Sequence, residues 1–205
     1  MITYTDKSQS EEIEPHPDLI LYFQETQKFS GNLPEEYNEG NEFYNIVSNI
    51  EQNIFLLDRL NERNLLNQNN NMIDCGIGLG FTLFDFYLQS LNLNQNFTFT
   101  GIEKQKVYVE YLRENLLSFW NNELNLIKDD IMNHNYNDYN IVYSYTPFRS
   151  EKSLNEFYNK VSNEVKSGSI IIENAHWGLG HYDLLRKIDL LEPIEIDDIV
   201  IFIKK

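Results

Sequence analysis

Between Met72 and Gly80 the chain reads Met-Ile-Asp-Cys-Gly-Ile-Gly-Leu-Gly, and no other stretch restricts its fold so tightly. A short apolar run passes one carboxylate, gives glycine at three alternate positions, and turns apolar again at Phe81, Leu83 and Phe84. That pattern predicts a strand, a tight turn and the start of a helix. Glycine supplies the positive φ such a turn needs, and without a Cβ it lets backbone N–H groups and a helix N-terminus approach a ligand closely. The plain alternative is a glycine-rich turn that binds nothing.

A glycine turn after a strand first suggests a dinucleotide, whose fingerprint is G-x-G-x-x-G with an acidic residue about 20 positions on. Gly76, Gly78 and Gly80 run G-x-G-x-G instead, Phe81 stands where the third glycine of that fingerprint belongs, and Asp74 lies two residues before the first glycine. A nicotinamide oxidoreductase is therefore the weaker reading. The stretch resembles the first motif of the class I S-adenosylmethionine-dependent methyltransferases, an apolar strand ending in Glu/Asp-x-Gly-x-Gly-x-Gly. Their cofactor has an amino-acid end and a sulfonium but no pyrophosphate, which suits a turn offering backbone groups and one carboxylate.

With 205 residues the chain is long enough for one domain and an N-terminal extension. Its 32 acidic and 16 basic residues give a net charge of −16, which disfavours DNA or RNA as a partner. Cys75 is the only cysteine, so neither an intramolecular disulfide nor a cysteine-rich metal site can form, and no metal is expected. The N-terminus lacks the basic start and apolar core of a secretory signal, and no apolar run approaches the ~20 residues of a membrane span. A cytoplasmic location is the expectation.

Taken in order, Met1 to Glu14 is polar, acidic and without period, and reads as a mobile tail. Leu19, Ile20, Phe23 and Phe29 suggest a short helix from Pro17, and Gly31, Pro34 and Gly40 a loop. Apolar residues at Phe43, Ile46, Val47, Ile50, Ile54, Leu57 and Leu60 predict one amphipathic helix of more than four turns. Asn67-Gln68-Asn69-Asn70-Asn71 reads as a low-complexity loop. Further on the pattern predicts a helix over Phe81 to Leu91, a strand over Phe97 to Glu103, and a helix over Val107 to Trp120. Leu124 to Ile131 then gives a strand and turn, and Tyr139 to Phe148 a strand entering a proline loop. After these come a helix from Leu154 to Val165, a strand from Ser169 to Asn174, and a closing hairpin of Ile194–Ile196 and Ile199–Ile203 around Asp197-Asp198. The expected division is residues 1–66 as tail and helical extension or lid, and 67–205 as the cofactor-binding domain.

The resemblance extends over approximately Met72 to Lys205. It implies a Rossmann-like α/β fold with a seven-stranded, mostly parallel sheet in the order 3-2-1-4-5-7-6, helices on both faces, and S-adenosyl-L-methionine as cofactor. Glu103, about 20 residues past the glycines, resembles the carboxylate that accepts hydrogen bonds from the ribose hydroxyls, or else is an acidic helix start. Asp130 resembles the adenine-recognising acid, with Ile131 on the purine face and Asp129 as the alternative one register away. Lys104 and Tyr143 complete the implied cofactor-binding set of Asp74, Gly76, Gly78, Gly80, Glu103, Asp130 and Ile131. Tyr37, Asn41 and Tyr44 are lid candidates.

At the acceptor end, relatives that methylate amino groups carry Asn/Asp-Pro-Pro-Tyr/Phe. This chain has Tyr145-Thr146-Pro147-Phe148, keeping the proline-aromatic pair without the amide or acid. Nucleic-acid base methylation is therefore in doubt, and a tyrosine-rich strand end suits a slot for a lysine amine. Tyr145 and His176 are the candidate catalytic residues. Tyr145, Thr146, Pro147, Phe148 and Trp177 are the candidate acceptor-binding residues, although Tyr143 and Phe148 also read as core. His181 reads as a surface helix residue, and Cys75 as a small buried side chain rather than a nucleophile. Together, Gly101-Ile102-Glu103, the Asp after the third strand, Val142-Tyr143-Ser144-Tyr145 and the nearby Pro147 also resemble small protein-lysine methyltransferases related to the ATP-synthase c-subunit enzymes. The expected activity is methyl transfer by in-line displacement, to a protein lysine first. Small-molecule N- or O-methylation, and non-catalytic cofactor binding, are the alternatives.

Overall fold

In the computed structural model, which describes residues 4–5, 12–13, 16–29, 55–121, 123–145, 147–148, 150–173, 181–196 and 199–205, the asparagine run opens the central strand and is not a loop. β3 spans Asn69–Cys75, following the short β1 (Tyr4–Thr5) and β2 (Glu12–Ile13). Asparagine side chains do here what apolar ones cannot, by pairing with backbone groups. Asn70 is buried and both donates to and accepts from the Asn67 backbone, while the Asn71 N–H is accepted by the Asn140 side chain at 2.6 Å.

β3 runs parallel to β4 (Asn96–Glu103) on one side and to β6 (Ile141–Ser144) on the other. β5 (Leu124–Lys128) extends the sheet beyond β4, and β7 (Ile170–Glu173) extends it beyond β6, both parallel. The antiparallel pair β8 (Leu191–Ile196) and β9 (Ile199–Lys204) closes it, with β9 against β7. The order β5-β4-β3-β6-β7-β9-β8 is the expected 3-2-1-4-5-7-6 for the seven strands of this sheet.

Strand alternation sends side chains to two core layers. Met72, Phe99, Ile141, Tyr143 and Ile172 meet α1 (Pro17–Thr26), α2 (Leu56–Glu62), α3 (Phe81–Ser90) and α4 (Lys106–Tyr111). Ile73, Cys75, Ile102, Val142 and Ile171 meet α5 (Glu151–Glu164) and α6 (His181–Arg186). α1 begins with Pro17 in the first turn, where a missing N–H costs nothing. Its Tyr22 stacks on Phe84 at 4.2 Å between ring centroids and is wholly buried, so this part of the extension belongs to the core.

Three further expectations change. The N-terminal stretch read as a tail contains two strands, with Tyr4 opposite Ile13 and Thr5 opposite Glu12. The periodic residues from Phe43 to Leu60 do not make one uninterrupted helix, because Phe55 has φ 59°, a left-handed conformation from which α2 starts afresh. The segment from Val107 to Trp120 changes winding from α to π at Leu112–Leu116 and to 3-10 at Leu117–Trp120, while Leu112, Leu116 and Trp120 stay buried. Phe43 to Ile54, the lid candidates Tyr37, Asn41 and Tyr44, and the hairpin tip Asp197-Asp198 lie outside the described residues.

Candidate functional site

The chain leaves β3 for β4 and β5 on one side and returns to β6 on the other, so the C-terminal ends of β3 and β6 flank the point where strand order reverses. Open α/β sheets bind ligands there. The glycine turn occupies one side of this crevice, and the loop after β6 occupies the other.

The turn is stapled to β4. The N–H groups of Gly76 and Ile77 both donate to the Ile102 carbonyl, at 3.0 and 2.9 Å, and the Gly80 N–H donates to the Ile77 carbonyl at 2.8 Å. Between them the Ile77 side chain drops onto β4 at Gly101. A Cβ on Gly101 would lie 2.2 Å from Ile77 Cδ1, so the glycine of the Gly-Ile-Glu segment is there to admit the turn. From the other direction the Tyr22 hydroxyl donates to the Leu79 carbonyl at 2.8 Å and accepts from Trp120 Nε1 at 3.4 Å. Gly80, at φ 77°, has no room for a Cβ beneath that hydroxyl, which would sit 2.8 Å away.

Two carboxylates face this turn. Glu103 is buried, and its Oε2 accepts the Gly78 N–H at 3.0 Å while its Oε1 accepts the Gln105 N–H at 2.7 Å. It thus shapes the turn through these two backbone donors. Asp74 is only 4% exposed, and among the described residues no hydrogen bond reaches its carboxylate. Burial first, and then the nearby Glu103 charge, push its carboxyl up to about 8. A buried acid with nothing to bind suits an incoming cationic donor.

Beyond β5, Asp130 Oδ2 pairs with Lys104 Nζ at 3.2 Å, and its Oδ1 accepts the Met132 N–H at 2.9 Å. Asp129 turns the other way, to His134 at 3.6 Å, and accepts the Asp130 N–H. The two acids are therefore distinct, and Asp130 is the one joined to the residue after Glu103. Ile131 is buried in the second core layer, its carbonyl accepting the Tyr136 hydroxyl at 2.7 Å.

Of the other predicted residues, Tyr143 is core, edge-on to Phe86 at 5.4 Å, and Phe148 is core against Phe157 at 6.1 Å. Tyr145 and Tyr143 share a face, as alternation requires, and Tyr145 is half-buried. Burial and then the Glu173 charge raise its phenol above the usual range. Pro147 is half-buried, and Thr146, His176 and Trp177 lie outside the described residues. The Cys75 thiol is buried and donates to the Tyr136 hydroxyl at 3.7 Å, with burial pushing its ionisation up, which makes it inert.

Sequence reasoning passed over Tyr22, Ser144, Tyr158 and Glu173. Glu173 had a visible signal, since Ile-Ile-Ile-Glu repeats the apolar-then-acid ending of Met-Ile-Asp and Gly-Ile-Glu. Tyr22 had none, because only the fold brings it 57 positions along the chain to Leu79.

Among solved structures, one from Listeria monocytogenes, provisionally described as a class I S-adenosylmethionine-dependent methyltransferase, is 12% identical. It matches over 90% of this chain and 66% of its own, with a TM-score of 0.63. The chain has the class I methyltransferase fold. Precorrin-6y C5,15-methyltransferase from Geobacter metallireducens, 16% identical, matches over 84% of this chain and 98% of its own at a TM-score of 0.57. An rRNA methylase from Streptococcus thermophilus, 12% identical, matches over 78% and 98% at 0.54. No protein-family model matches the chain, and no curated protein sequence matches it. Among the described residues no helix is long and apolar enough to cross a membrane.

Proposed function

We propose that this chain binds S-adenosylmethionine and transfers its methyl group to a protein lysine amine. The observation that carries the cofactor assignment is Asp74, buried at the mouth of a glycine turn with no hydrogen bond to its carboxylate among the described residues. Such a group is costly unless a donor meets it, and a ligand ammonium fits that need. At Gly76 a Cβ would meet nothing within 4 Å, so the turn there offers room for the amino-acid end, while Gly78 and Gly80 hold the turn's shape. Glu103, placed at the end of β4 beside the turn, is the proposed acceptor for the ribose hydroxyls, and Asp130, paired with Lys104, for an adenine amino group next to Ile131. Tyr143 supports this wall from the core.

When bound, the cofactor supplies a methyl group on a cationic sulfur that leaves as a neutral thioether. The chain's own task is to hold an attacking nitrogen in line, and such positioning is worth several kcal/mol. A lysine arrives as an ammonium and must give its proton to water or a base before its lone pair attacks. Tyr145 and His176 are the proposed side chains at that step, with Thr146, Pro147, Phe148 and Trp177 forming the slot. Support for a lysine comes from the absence of Asn/Asp in Tyr145-Thr146-Pro147-Phe148 and from the net charge of −16, which attracts a basic segment.

The same atypical loop favours a second reading, in which the acceptor is a small-molecule nitrogen or oxygen or the chain binds the cofactor without transfer. Titration calorimetry with S-adenosylhomocysteine tests the cofactor assignment. Glu103→Ala and Gly78→Val are each expected to weaken binding by at least about tenfold, and unchanged affinity in both would overturn it. Incubating a cell lysate with the protein and methyl-labelled cofactor then separates the readings, since binding without labelled product favours the non-catalytic one.

A further inference from the structure

A turn built on three glycines has little shape of its own. Gly76, Gly78 and Gly80 sit at φ 89°, 56° and 77°, and glycine leaves that region as readily as it enters it, so the conformation must be fixed from outside. The Ile102 carbonyl holds the first two N–H groups, and Glu103 holds the Gly78 N–H. The last peptide, between Leu79 and Gly80, is fixed at both ends. Its N–H donates to the Ile77 carbonyl at 2.8 Å, and its carbonyl accepts the Tyr22 hydroxyl at 2.8 Å.

Tyr22 comes from α1, which precedes the stretch that resembles the methyltransferases. Its ring is locked by stacking on Phe84 at 4.2 Å and by edge-on contact with Phe119 at 5.3 Å and Trp120 at 6.4 Å between centroids. Its hydroxyl is oriented as well. Trp120 Nε1 donates to it at 3.4 Å, which leaves its proton for the Leu79 carbonyl, and burial pushes its ionisation up, so the proton stays. Near its other end α1 is held by α4, where the Tyr111 hydroxyl donates to the Glu25 carbonyl at 2.7 Å. Just past α1, Phe29 meets Tyr108 and Tyr111 at 5.1 and 5.0 Å. The helix is thus bonded both to the turn after β3 and to the helix after β4.

Among the described residues no other hydrogen bond reaches the Leu79 carbonyl. Leu79 is buried, so losing the hydroxyl would strand that carbonyl, a cost the peptide escapes by rotating about Gly80. Rotation takes the Gly80 N–H off Ile77 and changes the backbone that a ligand meets.

Resting on the cofactor reading above, we infer that Tyr22 is a positioning residue of the cofactor seat, through which the N-terminal helix fixes the glycine turn in its binding shape. The extension is then part of the seat rather than a cover over it.

Titration calorimetry of the full chain with S-adenosylhomocysteine, run well below the melting temperature of every variant, tests this. Tyr22→Phe keeps the ring and its stacking but removes the bond to Leu79, and is expected to raise Kd about tenfold. Tyr87→Phe makes the same change in the same aromatic cluster, to a hydroxyl that accepts from Asn121 Nδ2 at 2.9 Å. It is expected to lower Tm as Tyr22→Phe does and to leave Kd unchanged, because a bond that only adds stability does not alter the affinity of folded chains. A Kd for Tyr22→Phe equal to the parent's, or an equal loss in Tyr87→Phe, overturns the inference. Should Tyr22→Phe fail to fold, Gly80→Ala displaces the same hydroxyl, since its Cβ would lie 2.8 Å away. Weaker binding is the expected result there too, and unchanged affinity overturns the inference. A parent chain that does not bind S-adenosylhomocysteine overturns the cofactor reading and this inference together, whereas one that binds it equally well as Tyr22→Phe loses only this inference.

Discussion

Asp74 carries a cost that function repays. With its carboxyl near 8 against an ordinary value of 3.8, the folded chain holds a proton that the unfolded chain releases between those two pH values. The native state then binds more protons than the unfolded state, so this residue's contribution to stability falls as pH rises from about 4 to about 8 and is level above that. Asp74→Asn removes the cost, and the variant is expected to melt higher than the parent at pH 8 while binding S-adenosylhomocysteine at least tenfold more weakly. The proton itself is a second readout. At pH 7 an ammonium-bearing ligand expels it from Asp74, so the binding enthalpy differs between phosphate and Tris buffers for the parent and is the same in both for Asp74→Asn. Equal enthalpies for the parent would remove Asp74 from the ligand's path.

At the scale of elements, β3, its turn and β4 behave as one part, because Ile77 occupies the space a side chain at Gly101 would need. Gly101→Val is expected to cost about 1–3 kcal/mol by overpacking, measured by urea unfolding, and to displace the turn that Glu103 holds. Shortening Ile77 to Ala in the same chain should return much of the loss, and no return would mean that Gly101 matters for another reason. This coupling also explains what the sequence disclosed. The strands, the closing hairpin and the places of Asp74 and Glu103 were legible because strand periodicity and glycine are local signals, whereas the sheet order followed from the resemblance to the class I methyltransferases. The role of Asn69-Asn70-Asn71 was not, since asparagine in a strand works only when backbone groups of Asn67 and the side chain of Asn140 are brought alongside. Nor was the break at Phe55, where the apolar period continues but the backbone does not. Ser144 and Glu173 are joined by strand register, and Tyr158 is packed against that face from a helix, which no single segment encodes.

Over the whole molecule, acidic residues outnumber basic ones two to one, giving a net charge of −16. A lysine-rich peptide should therefore be methylated several-fold more slowly at about 300 mM salt than at about 50 mM, through slower association, whereas a neutral acceptor should be indifferent. Equal salt dependence for both would argue against steering by the surface. The N-terminal helix gives the molecule one more property. Trp120 donates to the Tyr22 hydroxyl, and that hydroxyl donates to the Leu79 carbonyl inside the glycine turn. The indole is two hydrogen bonds from the glycine turn, so a change in the turn reaches a buried fluorophore, and Trp120 emission is expected to report any ligand that shifts it.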